Sequence, residues 1–406
     1  MLFDIVRFNQ FALDLLVREA DSEEIERDIN GEATEYHKSW RQESVGDYLD
    51  REGYCESFRD NYLIPMTASV WSTTPDKCSL EFPVLTLVRF LWNHHLLSSI
   101  TARPDWLTIP GGTNQYIHAV LKDFPQDRIH MGDSVNSLRT LDDGQILVAT
   151  KSGQEDTFDH VILAAHGDQV LDIIGADATE QEKDILSGFE TSSNVAVLHS
   201  DLDVRSSPLL KILSSNDPLL TALLQLMPKH HSAWSSWNFI TRSSSESTNV
   251  NHVCLTYWMN LLQHIPQETF GPVLVTLNPL TEPKPELTQG RWEYHHPRYT
   301  SAAIRSQSLL PEIQNTRGIS YAGAWTKYGF HEDGFSSGLK VAIEHLGAEL
   351  PFEFVDSTFS RGKKPALSWR DYAARSVIVA IQWLIRLLSG MFGIVRRSQD
   401  QMRKEQ

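Results

Sequence analysis

The sequence predicts a mixed α/β protein, and three observations predict it. The first hundred residues read as helices, the centre as strands, and two further segments as strand–loop–helix units of a parallel sheet. Taken in order, MLFDIVRFNQFALDLLVREA (1–20) sets Phe3, Val6, Phe8, Phe11, Leu15 and Leu16 near helical spacing, an amphipathic packing helix. Asp4, Arg7 and Asp14 interrupt any apolar leader, so no signal peptide is expected. Residues 19–60 are acidic and helical in character, Pro65 and Pro75 punctuate 61–75, and a helix follows around 82–97. WLTIPGGTNQYIHAVLKDF (106–124) predicts a strand, a Gly111–Gly112 turn and a helix with Tyr116, Ile117, Val120 and Leu121 inward. Short alternating runs come next, with turn signals at Asp142-Asp143-Gly144 and Ser152-Gly153 joining them as hairpins. VILAA (161–165) is continuously apolar, as a strand buried on both faces of a parallel sheet would be. NVAVLHSD (194–201) reads as a strand, and AWSSWNFI (233–240), HVCLTYWMN (252–260) and PVLVTLN (272–278) suit one antiparallel sheet. Residues 205–228 look like an insertion. ISYAGAWTKYGFHEDGFSSGLKVAIEHLG (319–347) is a strand, a Gly-punctuated loop and a helix with Leu339, Ala342, Ile343 and Leu346 at i, i+3, i+4, i+7.

Composition narrows the function. A chain of 406 residues, 41% hydrophobic, can bury a large core. Its net charge of −16 argues against binding nucleic acid by phosphate neutralisation. Cys55, Cys78 and Cys254 are odd in number and far apart, which excludes a disulfide framework or a CxxC site and suits a reducing compartment. The pairs His94-His95, His230-His231 and His295-His296 invite a metal reading, but adjacent residues do not face one point, so no metal is expected.

Charge and apolarity meet in the tail. Residues 361–406 carry ten Lys and Arg against Asp371, Asp400 and Glu405, which leaves the preceding 360 residues at −23. Within them SVIVAIQWLIRLLSGMFGIV (376–395) is long enough as a helix to match a hydrocarbon core of about 30 Å. Arg375, Gln382, Arg386, Ser389, Gly393 and Arg397 form a narrow polar stripe along it. Three readings stand: a helix lying in the membrane interface with its stripe to water, a spanning helix, or a helix docked on the protein itself. In the interfacial reading Arg370, Arg375, Arg396, Arg397 and Lys404 meet anionic lipid. The expected location is membrane-associated through this helix and otherwise cytoplasmic.

The chemistry concentrates in 319–347. A helix starting near Phe335 would present unpaired N–H groups and about half a positive charge at its N-terminus, suited to a phosphate or an electron-rich carbonyl. A plain structural crossover gives the same pattern. The segment YAGAWTKYGFHEDGFSSGLKVA resembles the C-terminal flavin-contacting motif of FAD-dependent amine-oxidase-like oxidoreductases, most closely their predicted NAD/FAD-binding subfamily. The resemblance continues through YLIPMTASVWSTTP, WLTIPGGTNQYI, FDHVILAAHGDQVL, AWSSWN, LTYWMNLLQ and VTLNP, over roughly residues 1–348.

The resemblance implies a glutathione-reductase-type FAD domain interleaved with an antiparallel-sheet substrate domain, followed by the amphipathic C-terminal helix. The expected division gives 1–105 to the helical part of the substrate domain and 106–175 to an FAD segment with a β-meander. Residues 176–315 hold the rest of the substrate domain, 316–350 the last FAD segment and 361–406 the basic tail. Gly323, Ala324, His331, Glu332, Asp333 and Gly334 would line the ribityl and ring end of FAD. Gly111 and Gly112 would sit where the domains meet, and Ala164, Ala165 and His166 would close the strand beneath the cofactor. His331, Glu332 and Asn260 are the catalytic candidates, with Trp71, Trp237, Tyr257 and Trp258 as walls of an apolar substrate cavity. Core packing is the competing role for each of these aromatics.

One departure is large. Such a protein should carry a strand, a GxGxxG turn and a helix that grip the dinucleotide, yet no two of the 22 glycines are spaced as GxG. The expectation is a form incomplete or degenerate at its N-terminus, with apolar faces of strands such as 161–165 left uncovered. Two functions follow. One is an FAD-dependent oxidoreductase acting on an amine or C–C bond of a lipophilic small molecule. The other is a flavin-less, membrane-associated binding or scaffold protein.

Overall fold

A computed structural model describes residues 1–19, 43–71, 80–97, 104–105, 107–202, 226–228, 230–241, 253–355 and 366–404. Helix α1 (Leu2–Phe11) sets Phe8 fully inside, and the chain continues inward through Ala12, Leu15 and Leu16. Ser44 caps α2 (Val45–Glu52) by accepting from Asp47 N at 3.0 Å, and Gly53 ends it in the left-handed region at φ +68°. With α3 (Ile64–Trp71) and α4 (Val84–Asn93) these helices enclose Phe8, Phe58, Trp71, Phe82, Leu87 and Phe90. Each such side chain contributes about 1.5–3 kcal/mol by leaving water. Tyr299 and Tyr328 enter the same core from far along the chain, so the helical region is welded to the last strand–loop–helix unit.

The predicted three-stranded antiparallel sheet is present and extended to five strands, by the strand read at 194–201 and by one the sequence did not suggest. Its order is β6 (Trp237–Thr241), β7 (Val253–Trp258), β8 (Leu274–Leu277), β5 (Thr191–His199), β9 (Thr288–Pro297). β9 pairs along the whole of β5, from Thr191 opposite Pro297 to His199 opposite Thr288. Its TQGRWEYHHP lacks an apolar alternation because most of its side chains are half or fully exposed. The two expected turns fold β1 (Val135–Thr140), β2 (Ile146–Thr150) and β3 (Glu155–Phe158) into a meander, with Gly144 N donating to Leu141 O and Gly153 N to Thr150 O. The apparent insertion lies mostly outside the described residues; at its end Leu226 and Met227 are buried, Leu226 packing with Cys254.

β4 (Val161–Leu163) and β10 (Ile319–Tyr321) form a parallel pair, Ser320 opposite Ile162. Here the structure corrects the expectation of burial on both faces. Ser320 is wholly buried, whereas Ile162 is 40% exposed, because β10 is the one strand paired with β4 among the described residues. Two helices beside the pair are also less covered than their sequences suggest. No strand forms in the described part of 106–113, and α5 (Asn114–Leu121) buries none of its residues, leaving Ile117 and Val120 exposed. In α9 (His331–Leu346), preceded by α6 (Gly167–Ile174), α7 (Glu180–Leu186) and α8 (Ser301–Leu309), the buried residues are Asp333, Ser336 and Val341. The apolar row Leu339, Ala342, Ile343 and Leu346 is half-buried or exposed.

The tail forms helix α10 (Trp369–Lys404). Near its start Arg375 turns to the protein and pairs with Asp14, so Arg375 is not a lipid-facing charge as the interfacial reading had it. Among the described residues no helix is long and apolar enough to cross a membrane.

Candidate functional site

The site grows from the C-terminal end of β10. Tyr321 is buried, its hydroxyl donating to Glu182 at 2.7 Å, and Arg317 just upstream binds both Glu182 and Asp177. Burial alone would raise the Glu182 carboxyl, but hydrogen bonds from Arg317, Thr179 N and Tyr321 hold it below its ordinary value. This knot, with Thr140 of β1 also taking a hydrogen bond from Arg317, fixes where β10 ends. Beyond it Ala322 N donates to Leu163 O, and Gly323, at φ +140°, turns the chain away. The loop is then pinned twice: Gly323 N donates to Ser337 Oγ at 2.8 Å, and Trp325 Nε1 donates to Ala165 O at 2.9 Å. Gly167 must be glycine for that second anchor, since a Cβ there would lie 2.9 Å from Phe189 and 3.2 Å from the Trp325 ring.

α9 begins just after Phe330, whose ring stacks on Phe90 at 5.2 Å and approaches Trp71. Asp333 folds back to accept from Phe330 N at 3.0 Å and is 3% exposed. Its carboxylate is thus a helix cap, not a group turned to a ligand, which removes it from the expected flavin contacts. His331 and Glu332 are exposed on the first turn, where Ser336 Oγ donates to Glu332 at 3.2 Å. His331 Nδ1 lies 2.5 Å from the Tyr116 hydroxyl of α5, so the segment after Gly111–Gly112 reaches the same helix end. Both glycines have φ above +80°. Ala164 and His166, at the end of β4, are exposed, and Ala165 is half-buried.

The aromatic candidates divide. Trp71 is core, its Nε1 donating to Tyr328 O at 2.9 Å, and it meets Phe82, Phe90 and Tyr299 edge-on or tilted. Trp237 and Tyr257 face one another's side of the sheet, packed with Leu255, Leu277 and Val275, and the Tyr257 hydroxyl points to Ser69 O. Trp258 alternates to the other face, against Trp234 and His231. Asn260 uses both ends of its amide locally, donating to Ile265 O and Gly271 O and accepting from Val273 N at 2.7 Å and Trp258 Nε1 at 3.2 Å. The structure therefore corrects the cavity of four: Trp71 and Trp258 do not join Trp237 and Tyr257, and Asn260 is a loop clasp. A cavity of about 230 Å³ flanks the loop between α9 and the turn after α8, lined by Gln314, Tyr321, Ser337 and Lys340, and none of those aromatics borders it. Tyr116, Trp325 and Phe330 escaped notice in the sequence because each reads as an ordinary apolar position. Among the described residues no group of three or more His, Cys, Asp or Glu is placed to hold a metal ion.

What gathers at the first turn of α9 suits the ring end of a flavin. Gly334 presents bare backbone, where a Cβ would stand 3.5 Å from Ala324 N, and the Gly323 turn lies beside it. Residues 8–198 match the family model described as flavin containing amine oxidoreductase. Over that stretch, just under half of its length, the chain is similar to flavin-containing amine oxidoreductases. No curated protein sequence matches. Among solved structures, a reduced UDP-galactopyranose mutase is similar at 14% identity, covering 86% of this chain and 74% of that one with a TM-score of 0.45. Cyclohexylamine oxidase from Brevibacterium oxydans is similar at 11%, covering 78% and 70%, TM-score 0.45. A fatty acid isomerase from P. acnes is similar at 13%, covering 75% and 67%, TM-score 0.44. For the dinucleotide end of an FAD, the 406 residues have no GxG spacing.

Proposed function

We propose that this chain oxidises an amine or an adjacent C–C bond of a lipophilic small molecule, with a glutathione-reductase-type arrangement of its FAD-facing segments. The observation that carries the reading is the convergence of Gly323–Ala324, the first turn of α9 and Tyr116 on one point, through the Tyr116–His331 contact at 2.5 Å. Bound FAD supplies the two-electron acceptor. The protein's own part is to orient and to exclude water. The helix end favours negative charge by its dipole, the Phe330–Phe90 stack dries its inner flank, and His331 and Glu332 stand exposed to hold or move a proton at Nδ1 or a carboxylate oxygen. Trp237 and Tyr257 are the aromatic walls left for a substrate.

The apolar face of α10 supports association with a membrane surface, where a lipophilic substrate would be met. A second reading rests on the missing GxG spacing and the thin cover over β4: a flavin-less binding or scaffold protein. Titrating the purified chain with FAD separates them. The enzyme reading expects flavin absorbance near roughly 450 nm to stay with the protein through gel filtration. A folded, monodisperse chain that remains colourless would overturn it in favour of the second.

A further inference from the structure

The polar positions Arg375 and Gln382 in the first half of α10 are held against the protein, not left to solvent. Asp371, Arg375, Ile378 and Gln382 follow i, i+4, i+7, i+11, and these positions are the covered ones, with Ile378 5% exposed. Arg375 is the fastener. Its Nη1 meets Asp14 Oδ1 at 2.6 Å, its Nη2 donates to the Gln10 carbonyl, and its guanidinium lies 5.1 Å from the Phe11 ring centre. Only 12% of the Arg375 side chain remains exposed. The other sides of the helix carry Val377, Val379, Ile381, Trp383, Leu384, Ile385, Leu387 and Leu388, each at least 41% exposed.

We propose that the Arg375–Asp14 clamp sets how this protein sits on an anionic lipid surface. By pinning Arg375 against the α1 region, it leaves the apolar sides of α10 to enter the interface and makes the body move with the helix as one rigid piece. The inference rests on the membrane association proposed above and adds its orientation. Charge complementarity selects the occupant: the segment from 361 onward carries ten basic against three acidic residues, and Arg370 is exposed at the start of the helix. The remaining body holds −23 and is repelled by the same lipids, within a Debye length of about 8–10 Å. A loosely tethered body would drift from the surface, and a clamped one is kept there.

The test uses the full chain with Cys78→Ser, labelled with a fluorophore at exposed Cys55. Vesicles of phosphatidylcholine with and without phosphatidylserine serve as the surface. Wild type and Arg375→Gln should both pellet with phosphatidylserine vesicles, and in wild type the label should tumble at the vesicle's rate. In Arg375→Gln or Asp14→Asn a fast component should return and residual anisotropy fall about two-fold or more. The exchange Asp14→Arg with Arg375→Asp should restore it. Unchanged anisotropy in the single variants, with pelleting intact, overturns the clamp alone. Wild type that pellets with neither vesicle overturns the membrane association and the clamp together. A dimer in solution that Trp383→Glu dissolves assigns the apolar face to a second copy and overturns the lipid occupant.

Discussion

The helical core around Phe8 and the parallel pair β4–β10 come from the same chain, yet they are finished to different degrees. In the first, four helices close on fully buried aromatics, and even polar Arg7 and Asn9 are covered. In the second, a two-stranded parallel sheet stands beside helices whose apolar residues Ile117, Val120, Phe335 and Leu346 face outward. Parallel sheets ordinarily persist with both faces and both edges covered. The difference teaches that the helical half is enclosed all round, while the half built on β4 and β10 packs Leu163, Ile319 and Tyr321 into a core on its inner side and leaves its outer side thinly covered.

The sharpest way to break that contrast is to empty each half in turn. Phe8→Ala should cost about 3–5 kcal/mol in urea unfolding, since the ring is wholly enclosed. An equally large loss for Val120→Ser, 57% exposed, would erase the distinction; the expected change is within about 0.5 kcal/mol. Next comes the anchor. Arg317→Met strips Glu182, 1% exposed at its side chain, of its charge partner, and about 3–5 kcal/mol should be lost. That loss should appear first as faster hydrogen exchange in β10, with α1 unaffected.

A pH titration gives the next largest effect, from the antiparallel sheet. His199 is fully buried, with Nε2 at 2.7 Å from Thr276 Oγ1 and Asp201 N donating to Nδ1, and burial pushes its pKa down to about 4. An unfolded chain takes up this proton near the ordinary 6.5, whereas the folded one resists until about 4. Stability is therefore intact above 6.5 and falls as pH drops, by up to about 3 kcal/mol at pH 4. His199→Gln should flatten this slope in melts taken between those values. The smallest effect is expected at the site itself. Tyr116→Phe removes one exposed hydrogen bond, so urea unfolding should shift by no more than about 0.5–1.5 kcal/mol.

The sequence was most legible where one physical rule acts alone. The hairpin turns at Gly144 and Gly153 need positive φ and announced themselves, as did the aromatic strands of the sheet; in α1 the reading held at Phe8, but polar Asp4, Arg7 and Asn9 are buried while Phe3, Val6 and Phe11 are half-buried. β9 hid because an edge strand with exposed side chains has no apolar period to read. α9 misled because periodicity reports which side of a helix is apolar, and not whether anything lies against it. At the candidate site, the motif singled out Gly323, Gly334 and the His331–Glu332 pair, which the fold brings to one helix end. Asp333 and Asn260 were not, since a carboxylate that caps its own helix and an amide that clasps its own loop look like functional polar groups until their hydrogen bonds are seen.

β4 has a consequence in the time domain. In a parallel ladder successive residues point their amides to opposite edges, and Val161 N donates to Gly318 O while Leu163 O accepts from Ala322 N. The amide of Ile162 points the other way, to the side where no strand pairs among the described residues. Deuterium should therefore enter this three-residue strand unevenly, quickly at Ile162 and slowly at its two neighbours. Any molecule that completes the sheet would announce itself by slowing that single amide.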